Sequence, residues 1–278
     1  MTDAAARSAI YRQIWAVQML ELRKRFFGKR AIPVYLLALI PLALFTIRAL
    51  VLLVFQKTTN DVAQAQVEYA VLFRVLILRF VVYFGCVAVF VPLFRGDILD
   101  RSLHYYFLAP MTRRTLTVAK FLSGLAAALI LFNGVTFATW NLLYLAHGPA
   151  MLLSKLSSVP GLFELGAYLL VTSLACVGYG AVFLAAGIFF RSPIVPALGI
   201  LGWESINIFL PPVLKKFSVI HYLDSLCPVS VPPESGIAIL ADPASPWVAI
   251  PGILALAVIL VAAAAAKARK LEILYGVE

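Results

Sequence analysis

Charge is scarce in this sequence of 278 residues. Only 13% of the residues are Asp, Glu, Lys or Arg, whereas 63% are hydrophobic, and the mean hydropathy is +0.96. A soluble domain usually carries about 25% charged residues, so this chain has too few polar groups to cover a soluble core. The composition excludes a disordered chain, a soluble enzyme and a nucleic-acid-binding domain. It favours a polytopic α-helical membrane protein.

Cysteine and histidine are also rare, with three residues of each. The cysteines lie far apart and outside any CxxC pattern, so they predict neither a disulfide framework nor a metal site. Cys86 and Cys176 fall within apolar runs and are predicted to be packing residues. No cleavable signal peptide is predicted, because the first long apolar run begins near residue 32 and is too long for one.

Long apolar runs, in contrast, are abundant. A helix needs about 20 apolar residues to cross the hydrocarbon core of a bilayer, and six runs meet that length. Continuous runs without polar alternation disfavour a β-barrel. The sequence therefore predicts an all-α membrane protein with six transmembrane helices, at residues 32–55, 70–94, 121–146, 163–190, 194–214 and 247–266.

Lys and Arg residues are distributed unevenly between the predicted loops. With the N-terminus placed in the cytoplasm, sixteen of the 23 lie in inner segments, four in outer loops and three within spans. Cytoplasmic loops of membrane proteins carry such an excess of Lys and Arg. The net charge of +10 is therefore interpreted as a topology signal, and an even number of spans places both termini in the cytoplasm.

The segments at the ends and on the outer side have their own patterns. Residues 8–30 combine apolar and basic sides around Trp15, which is typical of an amphipathic helix in the inner interface; the alternative is a basic stretch that only precedes the first span.

The outer segment 211–247 is rich in proline, which forbids one continuous helix. Short helices or re-entrant turns fit it, and so does a plain external loop. The domains are then residues 1–30, 31–266 with six spans, and a cytoplasmic tail at 267–278.

The longest inner segment, residues 95–120, predicts a helix that stops and restarts. Apolar residues recur at helical spacing up to Leu108. Pro110 ends that helix, because a proline biases the residue before it away from the α region. Thr112 is the expected N-cap of the next helix. The segment therefore predicts a helix–break–helix hairpin on the cytoplasmic face.

The same segment carries a recognisable motif. It resembles the cytoplasmic loop of ABC-2-type transporter permeases, and the predicted layout of spans and N-terminal helix is also similar to that family. In this sequence Arg101-Ser102-Leu103 replaces a Gly-Thr-Leu-like step and Ala119-Lys120 replaces Gly-Lys. The matching residues are Asp97-x-x-Asp100-Arg101-Ser102-Leu103, Leu108-Ala109-Pro110-Met111-Thr112-Arg113-Arg114 and Ala119-Lys120-Phe121-Leu122.

This resemblance implies a permease subunit of an ATP-binding cassette exporter in the cell (inner) membrane, paired with a second permease copy or a homologue. ATP and Mg would be bound by two separate ATPase subunits, and this chain would be neither an enzyme nor a nucleic-acid binder. In agreement, the sequence contains no G-x-x-x-x-G-K-[ST] phosphate-binding loop. The residues implied in coupling to the ATPase are Asp97, Leu99, Asp100, Arg101, Leu103, Tyr106, Phe107, Pro110, Arg113 and Arg114.

Four ionisable residues lie well inside the predicted spans: Arg48, Arg74, Arg79 and Glu204. A charge near the bilayer centre costs about 2.5–3.5 kcal/mol on insertion scales, so such residues usually face protein or water. Arg74 and Arg79 are expected to reach the outer headgroups. Glu204 is expected to pair with an arginine of the first or second span, or else to face a polar cavity. Arg48, Glu204 and Asn207 are the candidate pathway residues.

Two other functions remain open at this point. A secondary transporter driven by an ion gradient would suit the prolines within spans one and five, although no internal repeat accompanies them. A membrane-embedded transferase is suggested by Asp97 and Asp100, because spaced carboxylates can hold Mg²⁺. One such pair offers too few ligands for two-metal chemistry, and no metal site is predicted.

Overall fold

The described part of the chain is almost entirely helical. A computed structural model describes residues 15–16, 18–24, 26, 28, 31–55, 62–99, 112–190, 192–206, 218–229 and 245–269. A π-helix at Phe73–Val82 joins α2 to α3, and a 3-10 turn at Val91–Leu93 follows α3. The α-helices are α1 (Ile32–Phe55), α2 (Val62–Leu72), α3 (Tyr83–Phe90), α4 (Arg95–Leu99), α5 (Arg113–Leu145), α6 (Pro149–Ser157), α7 (Val159–Phe189), α8 (Ile194–Ile206), α9 (Val219–Leu226) and α10 (Pro246–Arg269).

Five apolar helices are long enough to cross a membrane, which identifies a multi-pass helical membrane protein by helix length and composition. The second and fourth begin several residues earlier than predicted, at Val62 and Val159. The predicted fifth span is described only as the 13-residue helix α8, and residues 207–217 lie outside the described ranges. The five long helices are Ile32–Val54, Val62–Leu93, Arg113–Leu145, Val159–Phe189 and Pro246–Arg269.

Helix α7 lies at the centre of the bundle. Its most apolar stretch is 72% buried, compared with 22% for that of α1. Tyr179 and Phe183 of α7 pack edge-on against the ring of Tyr83 in the second span. The two helices approach closely because Gly180 has no side chain: a Cβ there would lie 2.5 Å from the ring of Phe90. The core therefore forms around α7, while α1 keeps a broad apolar face exposed.

Helix α5 begins where the sequence predicts it. The hydroxyl of Thr112 accepts a hydrogen bond from the amide of Thr115 at 3.2 Å, and α5 then runs for 33 residues from Arg113. Of the helix predicted before the break, α4 covers Arg95–Leu99. The rest of the hairpin, residues 100–111, lies outside the description.

Helix α9 lies between the long helices. A Cβ at Gly178, in the interior of α7, would be 2.9 Å from the Cγ1 of Val219. A Cβ at Gly252 of α10 would be 3.3 Å from the ring of Tyr222. The proline-rich segment therefore contains a short helix packed at the depth of the spans, as re-entrant segments are when protein covers their backbone.

Candidate functional site

A buried lysine organises the end of the bundle at which α5 begins. The side chain of Lys120 is fully buried, and its Nζ donates hydrogen bonds to Glu21 Oε1 at 2.8 Å and to the carbonyl of Leu93 at 2.8 Å. It also forms a short ion pair with the carboxylate of Asp97. Lys24, which is half exposed, lies 3.8 Å from the other oxygen of Asp97. We call Lys120, Asp97, Glu21 and Lys24 the Lys120 cluster.

The Lys120 cluster joins three parts of the chain. Glu21 and Lys24 belong to the helical segment 18–24, Asp97 to α4 and Lys120 to α5. The two lysines balance the two carboxylates, so charges that would be costly to bury singly are paired. The cluster therefore fixes the N-terminal segment and α4 against the start of the third long helix.

The structure describes four of the predicted coupling residues. Asp97 is buried in the Lys120 cluster, whereas Leu99, at the end of α4, is 65% exposed. Arg113 donates a hydrogen bond from Nη1 to the carbonyl of Arg269 at 3.0 Å, joining the start of α5 to the end of α10. Arg114 is exposed. The other six, Asp100, Arg101, Leu103, Tyr106, Phe107 and Pro110, lie outside the described residues.

Glu204 is buried, with 6% of its surface exposed. Its carboxylate accepts a 2.6 Å hydrogen bond from the hydroxyl of Tyr179 and faces the backbone amides of Val219 and Ile220. Those amides form the first turn of α9, whose N-cap Ser218 provides no side-chain cap. Glu204 therefore caps α9. Among the described residues no arginine lies within ion-pair distance of it, but the charge of Arg79 in the second span also acts on its carboxylate.

A cleft of about 350 Å³ adjoins Glu204. Its walls come from α7, α8, α10 and the first residue of α9, and they are apolar except near Tyr179, Trp203 and Glu204. Its volume falls at the lower end of the range for small-molecule sites, and apolar walls with few polar groups are typical of such sites. The third candidate pathway residue, Asn207, lies outside the described ranges.

Arg74 and Arg79 both contact the proline-rich outer segment. Arg79 Nη2 forms an ion pair with Asp224 Oδ2 at 3.1 Å, and Arg74 Nη2 donates to the carbonyl of Val229 at 2.9 Å. Both arginines lie on the π-helix and both partners lie on α9 or just after it. Whether the two arginines also reach the outer headgroups stays a prediction.

Arg48 likewise has a partner from a neighbouring span. Its Nη2 lies 2.7 Å from Glu68 Oε2. Glu68 was not predicted to be a span residue, because the second span was predicted to begin at residue 70. The helix begins at Val62 instead. Arg48 is therefore held in an ion pair close to the loop between the first two spans.

A second polar cluster surrounds Glu164, which the sequence did not single out. Its carboxylate accepts hydrogen bonds from Tyr144 at 3.0 Å, Gln66 at 3.1 Å and Trp140 at 3.4 Å. These residues come from α7, α5 and α2. Glu164 falls just inside the predicted fourth span, 163–190, but its partners could not be predicted because they lie on other helices. It joins three helices at the end of the bundle opposite the Lys120 cluster.

The described residues contain no group of three or more His, Cys, Asp or Glu side chains placed to hold a metal ion. Cys86 and Cys176 are buried free thiols, as expected of packing residues. No protein-family model matches the chain, and no curated protein matches its sequence significantly. Any function assigned to this chain therefore rests on its own residues and their contacts.

Proposed function

We propose that this chain is the membrane-spanning permease subunit of an ATP-binding cassette exporter. Two separate ATPase subunits would bind ATP and Mg, and a second permease copy or homologue would complete the pathway. In this proposal the chain has six spans, lies in the inner membrane and keeps both termini, with an interfacial N-terminal helix, on the cytoplasmic side. Helix α8 would be the first part of the fifth span.

The observation that best supports the proposal is the Lys120 cluster. A permease that is moved by an ATPase needs a cytoplasmic attachment that transmits displacement without bending. The cluster ties the N-terminal segment, α4 and α5 together through buried ion pairs at the end of the bundle where basic residues are concentrated. Leu99 lies exposed beside this joint, where a partner would contact α4.

The exposed face of α1 also fits this proposal. Its outward residues include Leu36, Leu39, Ile47 and Val54, each more than half exposed. In a membrane such a face contacts lipid or another apolar helix. A second permease copy would therefore find a largely apolar surface on α1.

The docking part of the proposal is tested by Leu99→Glu. A carboxylate at the centre of a protein contact is desolvated without a partner, so the affinity for the ATPase should fall about tenfold or more. The measurement is co-elution of the tagged chain with the ATPase subunit that the wild type retains when purified from its native membrane.

Leu153→Glu is the matched control. Leu153 of α6 is 66% exposed, nearly the same as Leu99, but it follows the far end of α5. Its substitution should leave ATPase association unchanged. If both variants retain the ATPase equally, α4 is not the docking element.

A second candidate function is favoured by Glu204. A buried carboxylate on the wall of an apolar cleft is a feature of carriers that move a proton or cation with their substrate. In such a secondary transporter Glu204 would release and rebind the coupling ion, and no ATPase would be needed. The substitution Glu204→Gln separates the two candidates, as described in the Discussion.

A further inference from the structure

Helix α8 is buried against the bundle at two points. Of its residues, Ala197 and Glu204 alone are buried. The carbonyl of Ala197 accepts a hydrogen bond from the hydroxyl of Tyr83, and the carboxylate of Glu204 accepts one from Tyr179. Between these two points the side chains of residues 200 and 203 line the cleft beside Glu204. The cleft therefore separates the middle of α8 from α7 and α10.

The walls of the cleft consist mainly of hydrocarbon. Helix α7 contributes Val182, Ala185 and Ala186, and α10 contributes Leu256 and Leu260. An ordered water needs two to four polar partners, whereas apolar cavities stay dry and take up apolar ligands. Protein interiors are close-packed, and a gap of about 350 Å³ is too large to stay empty at that density. The contents of the cleft are therefore expected to be apolar.

Glu204 gives the cleft no net attraction for a charged ligand. Its carboxylate already accepts the hydroxyl of Tyr179, faces two amides of α9 and lies within the field of Arg79. Arg79 and Arg74 act in turn on Asp224, so two cations are matched by two carboxylates in this region. A charged ligand would add an uncompensated charge at the depth of the spans, which is costly. An uncharged occupant fits this end of the cleft best.

The length and the opening of the cleft indicate the source of such an occupant. The wall on α7 extends from Tyr179 to Phe189, and ten residues of α-helix span about 15 Å. One leaflet of a bilayer provides half of a hydrocarbon core about 30 Å thick, which is the same length. Phe189 and Phe190 line the cleft and are also exposed. The cleft is therefore continuous with the lipid-facing surface at the end of the fourth long helix.

We propose that the cleft binds one acyl chain of a bilayer phospholipid. The chain enters beside Phe189, extends along α7 towards Tyr179 and fills the space between α8 and the rest of the bundle. The headgroup stays at the membrane surface, so the acyl chain is recognised and the headgroup is not. This site does not depend on the proposed function, because it is the same whether an ATPase or an ion gradient drives the protein.

Binding is measured on the full chain purified in a neutral steroid-based detergent, which has no flexible acyl chain of its own. The probe is lysophosphatidylcholine with a brominated acyl chain, because bromine quenches tryptophan fluorescence on contact. Trp203 lies on the cleft wall, so the quenching that is absent from Trp203→Phe reports binding in the cleft. That quenching should saturate. Dodecanol, which supplies a chain without the headgroup, should displace the probe, and phosphocholine, which supplies the headgroup alone, should not.

Ala186→Phe should weaken binding about tenfold or more. Ala186 lies on the cleft wall, and a ring there displaces at least two methylenes of the bound chain, which correspond to about tenfold in affinity. Ala186→Leu should weaken binding less, and it replaces the Phe variant if that one fails to fold. Ala262→Phe is the matched control and should leave binding unchanged, since Ala262 is an exposed residue of α10 outside the cleft lining.

Three results would overturn the proposal. Quenching that does not saturate, or that is equal in the wild type and Trp203→Phe, would show that the cleft takes up no chain. Unchanged binding in both Ala186 variants would place the probe elsewhere. A preference of about tenfold or more for lysophosphatidylglycerol or lysophosphatidylcholine with the same chain would show that headgroup charge is recognised instead. No ATPase or nucleotide is present, so none of these results depends on whether an ATPase binds the protein.

Discussion

Replacing Lys120 by Met is expected to destabilise the chain more than any other single substitution in the described residues. The change leaves the carboxylates of Asp97 and Glu21 buried without their shared cation. Breaking a buried ion pair from one side typically costs about 3–5 kcal/mol. We expect a large drop in the thermal unfolding temperature of the purified chain in detergent, together with loss of ATPase association.

Lys155→Met is the matched control for this variant. Lys155 lies on the ring of Tyr144, with its Nζ 5.2 Å from the ring centroid, and such a partly exposed contact is worth about 0.5–1 kcal/mol. Adding Asp97→Asn and Glu21→Gln to Lys120→Met should restore much of the stability, because the two buried groups that lost Lys120 are then neutral. A Lys120→Met variant as stable as the wild type would show that the Lys120 cluster does not hold the three segments together.

Substituting Glu204 is expected to have the second-largest effect, and the effect depends on the replacement. Alanine removes the acceptor for the hydroxyl of Tyr179 and the cap of α9. Losing a helix cap and leaving a buried hydroxyl unpaired together cost about 2–3 kcal/mol. Glutamine keeps a carbonyl oxygen in the same position and should preserve most of the stability and most of the ATP-driven transport.

The comparison of these two variants distinguishes the candidate functions. A secondary transporter that uses Glu204 to carry a proton or cation would lose transport in Glu204→Gln, because an amide cannot release and rebind that ion. Tyr179→Phe is the matched control: it removes one hydrogen bond to Glu204 and should cost about 1 kcal/mol. Transport and the unfolding temperature should be measured for all three variants. A capping role predicts that transport falls only where stability falls, whereas an ion-carrying role predicts that Glu204→Gln loses transport while remaining stable.

The helical architecture could be predicted from the sequence because it depends on local patterns. Continuous apolar runs predicted the long helices, and the Thr112 N-cap gave the start of α5 correctly. The second and fourth spans begin earlier than predicted, at Val62 and Val159, so Glu68 belongs to the second span and Glu164 lies farther inside the fourth. Both carboxylates lie inside helices, where residues from other helices supply their hydrogen-bond donors.

The polar contacts between helices could not be predicted, because their partners are far apart in the chain. Lys120 and Glu21 are 99 residues apart, and Arg79 and Asp224 are 145 residues apart. Hydropathy shows that a charge lies in a span but gives no information on which helix faces it. The motif placed Asp97 in a coupling segment without indicating that its side chain turns inward to Lys120.

The π-helix could not be predicted from the sequence either. Nothing in the residues 73–82 distinguishes them from an ordinary apolar α-helix with two arginines. In the folded chain both arginines have contacts with the segment 219–229. Arg74 and Arg79 are five residues apart, and the wider turn of a π-helix brings residues five apart closer to the same face than an α-helix does. Both side chains can then contact the segment 219–229.

The central proposal is that separate ATPase subunits drive this chain. The composition of the intact complex tests it directly. The measurement is native mass spectrometry of the complex isolated from its own membrane through a tag on this chain. We expect two ATPase subunits, together with this chain and a second permease copy or homologue. A complex in which this chain occurs without any nucleotide-hydrolysing subunit would contradict the account.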